Sequence, residues 1–287
     1  MEDRTGYIGS SEVAALLGLS PFKSPLTLWA EKTGNIKPKD LSDNEAVEWG
    51  QRLEKIVAKK FAEKNKVKLI AYKKRFTHPK YSYLTCELDN IIAGTDEIVE
   101  IKTTSLWNNK EWEKPDDIPV YYVCQVMFAL GLSDRKIGHI AVLIGGQKYL
   151  EKKIIFDKKL YDSMVKKAVD FWENFIVPKV MPAQITAKDD EILRQIFPNA
   201  AEGEAIKLDE TANQLADTIK ANQVDLMNLK DIISKNQNEL KALLKENACG
   251  ETERYRISWK NVHKDAYEVA EQNYRQLRIT EKKENEK

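Results

Sequence analysis

The stretch from Leu88 to Lys102, LDNIIAGTDEIVEIK, restricts the fold more than any other part of the chain. Leu88–Ile92 and Ile98–Lys102 are short runs rich in β-branched residues, and Gly94-Thr95-Asp96 between them is turn chemistry. The spacing predicts two strands folded back on each other. Side chains alternate along a strand, so Glu100 and Lys102 share a face, while Ile98, Val99 and Ile101 are apolar packing. Asp89, on the partner strand, can fold back beside them. Two carboxylates held together repel each other unless a cation lies between them, and a hard divalent ion with oxygen ligands meets that need. A lysine beside such an ion can orient or deprotonate a water, because nearby positive charge depresses its pKa. In outline this is a site for metal-assisted hydrolysis.

Taken alone, the acid-x-base pattern is weak. With 45 acidic and 46 basic residues in 287 positions, chance supplies roughly seven such triplets. The plain alternative is a solvated pair on an edge strand. The surroundings carry the rest of the case. A 42% hydrophobic content suffices for a real core. No apolar run reaches the length of a membrane span, and Met1-Glu2-Asp3-Arg4 does not read as a signal peptide, so a cytoplasmic protein is expected. Cys86, Cys124 and Cys249 are too scattered for a zinc or iron–sulfur set and read as reduced thiols. The net charge is only +1, but residues 51–80 hold eleven Lys or Arg against two acids. Such a block can line a path for a polyanion, or form an ordinary solvated helix face.

Along the chain, Ser10 or Ser11 can cap a helix Glu12–Leu17 that stops at Gly18, and Ser24-Pro25 starts a second one ending at Gly34. With Arg4 just upstream, the first helix start is either a phosphate site or a plain N-cap. Ser42-Asp43-Asn44-Glu45 reads as a capping box before a helix to about Lys64, with an apolar stripe of Trp49, Leu53, Ile56, Val57 and Phe61. Glu54 sits at the edge of that stripe, where a half-buried carboxylate would want a partner. Thr103–Pro119 reads as a polar loop whose Trp107 and Trp112 could flank a substrate. Pro119 opens a helix to Leu130 that sets Gln125 on the same side as a tyrosine. A hairpin follows, Ile137–Ile144 and Tyr149–Phe156, turned by Gly145-Gly146, and then a helix from Asp157 to about Val177. Composition shifts near Pro198. Apolar residues then keep a heptad rhythm from Leu208 to Leu243, with Asn222 and Asn236 in the seam. This predicts a helix over about 206–247, roughly 60 Å long, ended by Cys249-Gly250. It must pair with itself, with the main domain or with another protein. Tyr255–Lys260 reads as a strand, and the charged tail beyond Glu281 as frayed. The division expected is 1–198 for the main domain and 199–287 for an accessory region.

Several blocks fall in order: Arg4…Ile8-Gly9-Ser10-Ser11-Glu12-Val13, Trp49-Gly50…Glu54, Leu88-Asp89-Asn90, Glu100-Ile101-Lys102-Thr103, Pro119…Tyr122…Gln125 and Phe171-Trp172…Pro182. Together they resemble the YqaJ-like viral recombinase family and, more distantly, the phage lambda exonuclease-like enzymes, within the PD-(D/E)xK nuclease superfamily. The match covers roughly residues 4–182. The resemblance implies an α/β fold: a restriction-endonuclease-like core with a central mixed sheet flanked by helices, here with a C-terminal long-helix extension. It implies Asp89, Glu100 and the main-chain carbonyl of Ile101 as metal ligands, with Glu54 as a further candidate, and Lys102 as base or water-orienting group. Gln125 would support the lysine or the substrate, and Arg4 and Ser11 would hold a 5′-phosphate. Two departures stand out: Phe128 replaces an aromatic hydroxyl after the glutamine, and Leu88 replaces the proline of the superfamily signature.

The resemblance further implies a Mg²⁺-dependent deoxyribonuclease, with Mn²⁺ accepted by the same oxygen donors. It would degrade linear duplex DNA from the 5′ end and pass the 3′ tail to a single-strand annealing recombinase in phage-type recombination. A ring-shaped homo-oligomer, a trimer, in a bacterial host cytoplasm is the accompanying expectation. The alternatives are a structure-specific endonuclease on the same core and a catalytically silent recombination scaffold.

Overall fold

In the computed structural model, residues 4–72, 74–114, 117–201, 203, 205–266, 268, 271 and 275–280 are described; the tail beyond Glu281 lies outside them. The two strands read around the Gly94 turn are β5 (Asn90–Ile92) and β6 (Glu97–Thr104), paired antiparallel with Asn90 opposite Val99 and Ile91 opposite Ile98. β6 is no edge strand. On its other side it pairs in parallel, over all eight residues, with β7 (Ile137–Ile144). A parallel neighbour needs a crossover, supplied by a 3₁₀ segment (Leu106–Trp112) and the helix Val120–Leu132. β8 (Lys148–Ile155) returns antiparallel along β7 through Gly145 and Gly146, whose φ values of 58° and 73° suit a tight hairpin that side chains would strain. β2 (Leu69–Ala71) pairs with β5, giving a mixed sheet in the order β2-β5-β6-β7-β8.

The chain preceding β2 wraps this sheet. β1 (Ile8–Gly9) leads through a 3₁₀ turn (Ser10–Glu12) into α1 (Val13–Leu16); α2 (Pro25–Lys32) and α3 (Glu45–Asn65) follow. β3 (Phe76–Thr77) and β4 (Leu84–Cys86) form a small second sheet with β1. After β6 come α4 (Val120–Leu132), α5 (Lys158–Phe171), continued by a π turn to Ile176, and α6 (Asp190–Ile196).

The two faces of β6 obey the period of two. Ile98, Ile140 and Val142 meet Val126, Phe128 and Leu130 of α4 in the main core. Val99, Ile101 and Ala141 meet Val57 and Phe61 of α3 on the opposite face. That second patch is narrow, and it corrects the expected stripe on α3: Gly50, Val57 and Phe61 line the side turned to the sheet, and Trp49 and Ile56, about 100° round the helix from Gly50 and Val57, lie 55% and 61% exposed. The N-cap is Asn44, whose side chain accepts from the amides of Ala46 and Val47, so the expected Ser42 box does not form. Likewise neither Ser10 nor Ser11 caps the first helix. Glu12 reaches back instead, its Oε2 accepting from the Gly9 amide at 3.0 Å.

Trp112 is also reassigned. It is 1% exposed and packs in the main core, whereas Trp107 is 93% exposed. At the far end of α4, a Cβ on Gly131 would lie 2.2 Å from Cδ2 of Tyr161 on α5. Alanine there gains about 1 kcal/mol of helix propensity but forces the ring aside, so Gly131→Ala should lose about 1–3 kcal/mol net in denaturant titration. A melting midpoint equal to or above the parent's would refute this packing.

Residues 199–287 form a separate compact unit from residues 1–198. Its α7 (Glu210–Leu244) is capped by Asp209 and ends at Leu244, earlier than Cys249-Gly250. Those two residues open β9 (Cys249–Glu251) instead, which pairs antiparallel with β10 (Arg256–Ser258), as expected for a strand within 255–260. Leu244 is buried beside Gly250. Among the described residues no helix is long and apolar enough to cross a membrane.

Candidate active site

The β5–β6 ladder stops at Asn90–Val99. Carried one residue further, its register sets Asp89 across from Glu100. The strands part at that point, and the Asp89 carboxylate takes over as acceptor: its Oδ2 receives the Ile101 amide at 2.9 Å. Glu100 and Lys102 extend from the α4 face of β6. Lys102 Nζ donates to Glu100 Oε1 at 2.6 Å, and Gln125 Nε2 of α4 donates to the same oxygen at 2.5 Å. The structure therefore brings Asp89, Glu100, Lys102 and Gln125 together at the centre of the sheet, with Gln125 reaching Glu100.

Glu100 is buried and Asp89 and Lys102 are half-buried. Burial and the neighbouring Glu100 charge push the Asp89 carboxyl up to about 7, with a small further contribution from Glu54. Burial pulls the Lys102 ammonium down, but the Glu100 and Asp89 charges outweigh it and its pKa is raised. Both shifts record the same fact: negative charge is crowded here and calls for cations. The donors are carboxylate and carbonyl oxygens, two from the central strand β6 and one from the residue before β5, which fit a hard divalent ion. Asp89, Glu100 and the Ile101 carbonyl would hold it.

Glu54 does not complete a third carboxylate. Among the described residues no group of three His, Cys, Asp or Glu is placed to hold a metal ion. α3 rests on the Val99–Ile101 face, and Glu54 is solvent-exposed rather than half-buried, although it stands near enough for its charge to act on Asp89. Gly50, one turn earlier, faces Thr103 Oγ1. Phe128, which stands in place of an aromatic hydroxyl, is fully buried in the main core. The aromatic group at the lysine is Tyr122, whose ring centroid is 5.2 Å from Lys102 Nζ. The Tyr122–Gln125 spacing of three, one face of a helix, is the signal that places it.

A second cluster lies at the chain's start. Arg4 Nη2 is 3.4 Å from Ser11 Oγ and 3.8 Å from Glu12 Oε2. The Tyr7 ring has three cations around it: Arg75 at 4.4 Å, Lys32 at 5.3 Å and Arg4 at 5.8 Å. Beneath them Lys32 Nζ, almost wholly buried, donates to Glu12 Oε2 at 2.8 Å and to the Arg4 carbonyl at 2.5 Å. Sequence reasoning finds Arg4 and Ser11 but misses Lys32, because a lysine in the last turn of α2 reads as an ordinary C-terminal charge. The 3₁₀ turn bearing Ser11 packs on α4, the helix that supplies Gln125. The basic run lies on α3 and the strands after it, where Arg52, Lys59, Lys64 and Arg75 each pair with a carboxylate.

The fold and the sequence are similar to those of known proteins. The solved structure of an alkaline exonuclease (LHK-Exo) from Laribacter hongkongensis shares the fold, with a TM-score of 0.52 at 16% identity over 62% of this chain and 91% of that one. LHK-Exo in complex with dAMP aligns equally well, TM-score 0.52, over 67% and 93%. The YqaJ-like viral recombinase domain matches residues 1–136. The YqaJ protein of Bacillus subtilis (strain 168) is 33% identical over 269 residues, which span 91% of this chain and 82% of that protein. The chain thus belongs to the YqaJ-like viral recombinase family.

Proposed function

We propose that the protein is a metal-dependent exonuclease that degrades linear double-stranded DNA from the 5′ end and leaves a 3′ single-stranded tail. The observation that carries the reading is the convergence of Glu100 and Lys102 on the central strand with Asp89 across from them just before β5, Lys102 Nζ lying 2.6 Å from Glu100 and the Asp89 carboxylate accepting the Ile101 amide. Lys102 would hold and orient the attacking water and take or release its proton. Glu100 fixes the lysine's position, and Gln125 fixes Glu100. Asp89 and Glu100, with the Ile101 carbonyl, would hold Mg²⁺ or Mn²⁺, which when bound polarises the phosphate and stabilises its developing charge. The polarity and the hand-over of the tail to an annealing recombinase rest on the family, as do the ring-shaped homo-oligomer, the phage origin and action in a host cytoplasm. The alkaline exonuclease fold and its capture with a nucleotide, dAMP, support the substrate class. The basic run of α3 suits a duplex lying along it.

The test uses one linear duplex labelled at each 5′ end in turn, prepared with a 5′-phosphate or a 5′-hydroxyl, beside a closed circle, with Mg²⁺ or EDTA. Metal-dependent loss of the 5′-phosphorylated strand with the circle spared supports the reading. Cutting of the circle would favour an endonuclease on the same core, and no cutting under any metal a silent scaffold. Arg4 and Ser11 are the proposed grip on the end. Arg4→Ala removes a charge-assisted contact to phosphate, so the preference for 5′-phosphate over 5′-hydroxyl ends should fall by about 10-fold or more. Competition between the two ends in one reaction measures it, and an unchanged preference would move the phosphate site elsewhere.

A further inference from the structure

Along α7, seam residues recur at alternating steps of three and four from Ala212 to Leu243. Leu215, Leu226, Leu229, Ile233 and Leu243 are each more than half exposed, which is costly unless another surface covers them. The seam consists of two interleaved sets. One set (212, 219, 226, 233, 240) is wholly apolar, and the other (215, 222, 229, 236, 243) contains both seam amides, Asn222 and Asn236. We infer that α7 is covered by α7 of a second copy of this chain, running parallel and in register.

The amides decide the direction. In a parallel in-register pair each set faces itself, so Asn222 meets Asn222 of the second copy, Asn236 meets Asn236, and each buried amide has a donor and an acceptor before it. In an antiparallel pair one set faces the other, and each Asn would be buried against Ala, Ile or Leu; Asn222 Nδ2 keeps its bond to the Thr218 carbonyl at 2.8 Å, but its Oδ1 would lose water with no donor before it. Charge points the same way. Asp225 and Lys230 flank the seam on opposite sides, five residues apart, the spacing at which a parallel pair joins one helix to its neighbour. An unlike protein would have to present matching amides two heptads apart; a second copy does so by identity.

The test is cysteine cross-linking in the full-length protein. Exposed Cys249 is replaced by Ser, and one cysteine is placed at position 215, 243 or 231, the last on the outer face of the helix. Under mild oxidation at micromolar concentration, L215C and L243C should each give a disulfide-linked dimer in most chains, with D231C at least several-fold lower. An equimolar mixture of L215C and L243C should give same-site dimers and few 215–243 links. Dominant 215–243 links would establish the antiparallel arrangement and overturn the proposal. Equal yields at all three sites, or none at 215 and 243 with helicity intact by circular dichroism, would overturn it too and leave the face to another protein.

Discussion

Lys102→Ala is expected to lower the single-turnover cleavage rate by about 10²–10⁴-fold, the usual range for removing a positioned proton-transfer group, while duplex binding in the absence of divalent metal stays within a few fold. The magnitude follows from how firmly the lysine is held. Its Nζ donates to Glu100 Oε1, the Tyr122 ring lies 5.2 Å away, and it is set by a β6 residue paired on the β7 side. No other lysine is placed by a contact to Glu100 or Asp89 among the described residues. Lys102→Arg keeps the charge but replaces a compact ammonium with a planar group that does not shed its proton. If Lys102 manages a proton, this variant should stay close to the alanine level; if it contributes charge alone, arginine should recover most of the rate. A Lys102→Ala protein that is folded and cuts at the parent rate would remove the lysine from the mechanism.

Glu12→Ala should cost about 3–5 kcal/mol of folding stability, because it leaves the Lys32 ammonium buried without its carboxylate. The same oxygen also receives the Gly9 amide that starts the 3₁₀ turn, so the loss falls on the segment carrying Ser11. Adding Lys32→Met removes the stranded charge and should recover much of the stability, even though the pair is still gone. The sign with pH follows from Lys32. Burial outweighs the attraction of Glu12 and holds its pKa below the ordinary lysine value in the folded chain. Between the folded and unfolded values the unfolded chain binds the extra proton, so stability from this group rises with pH. Without Glu12 the folded value drops further, and the deficit of Glu12→Ala against the parent should shrink from about pH 7 to about pH 10. Urea titrations of the parent, the single and the double variant decide it. A loss below about 1 kcal/mol, or no recovery in the double variant, would show that Lys32 escapes to water when Glu12 is gone.

What was legible and what was not divides along sequence distance. The β5–β6 turn, the Gly145-Gly146 hairpin and the placement of Gln125 beside a tyrosine are local, set by turn chemistry and by helical and strand periods, and the chain forms them as read. The errors are those in which a local pattern is silent about the layer it meets. Trp49 and Ile56 read as part of the α3 stripe, but the helix turns Gly50, Val57 and Phe61 to the sheet and leaves those two at its side. Trp112 sits in a polar stretch, yet the crossover carries it into the core. Glu54 lies more exposed than its place beside the α3 stripe suggests, though still near enough to Asp89 for its charge to act there.

By itself, then, the sequence determined the strands, the turn between them and the residue types able to hold a cation, because these depend on neighbours within a few positions. It also determined the amide positions in the α7 seam, since a heptad is read along one helix. Only the tertiary structure decided that β6 is central and that Asp89 stands opposite Glu100 where the ladder ends. It also decided that Lys32 is buried beneath Arg4, and that Tyr122 rather than Phe128 faces the lysine. Each of these depends on which face of one element is covered by another distant in sequence, and burial, not local pattern, sets that choice.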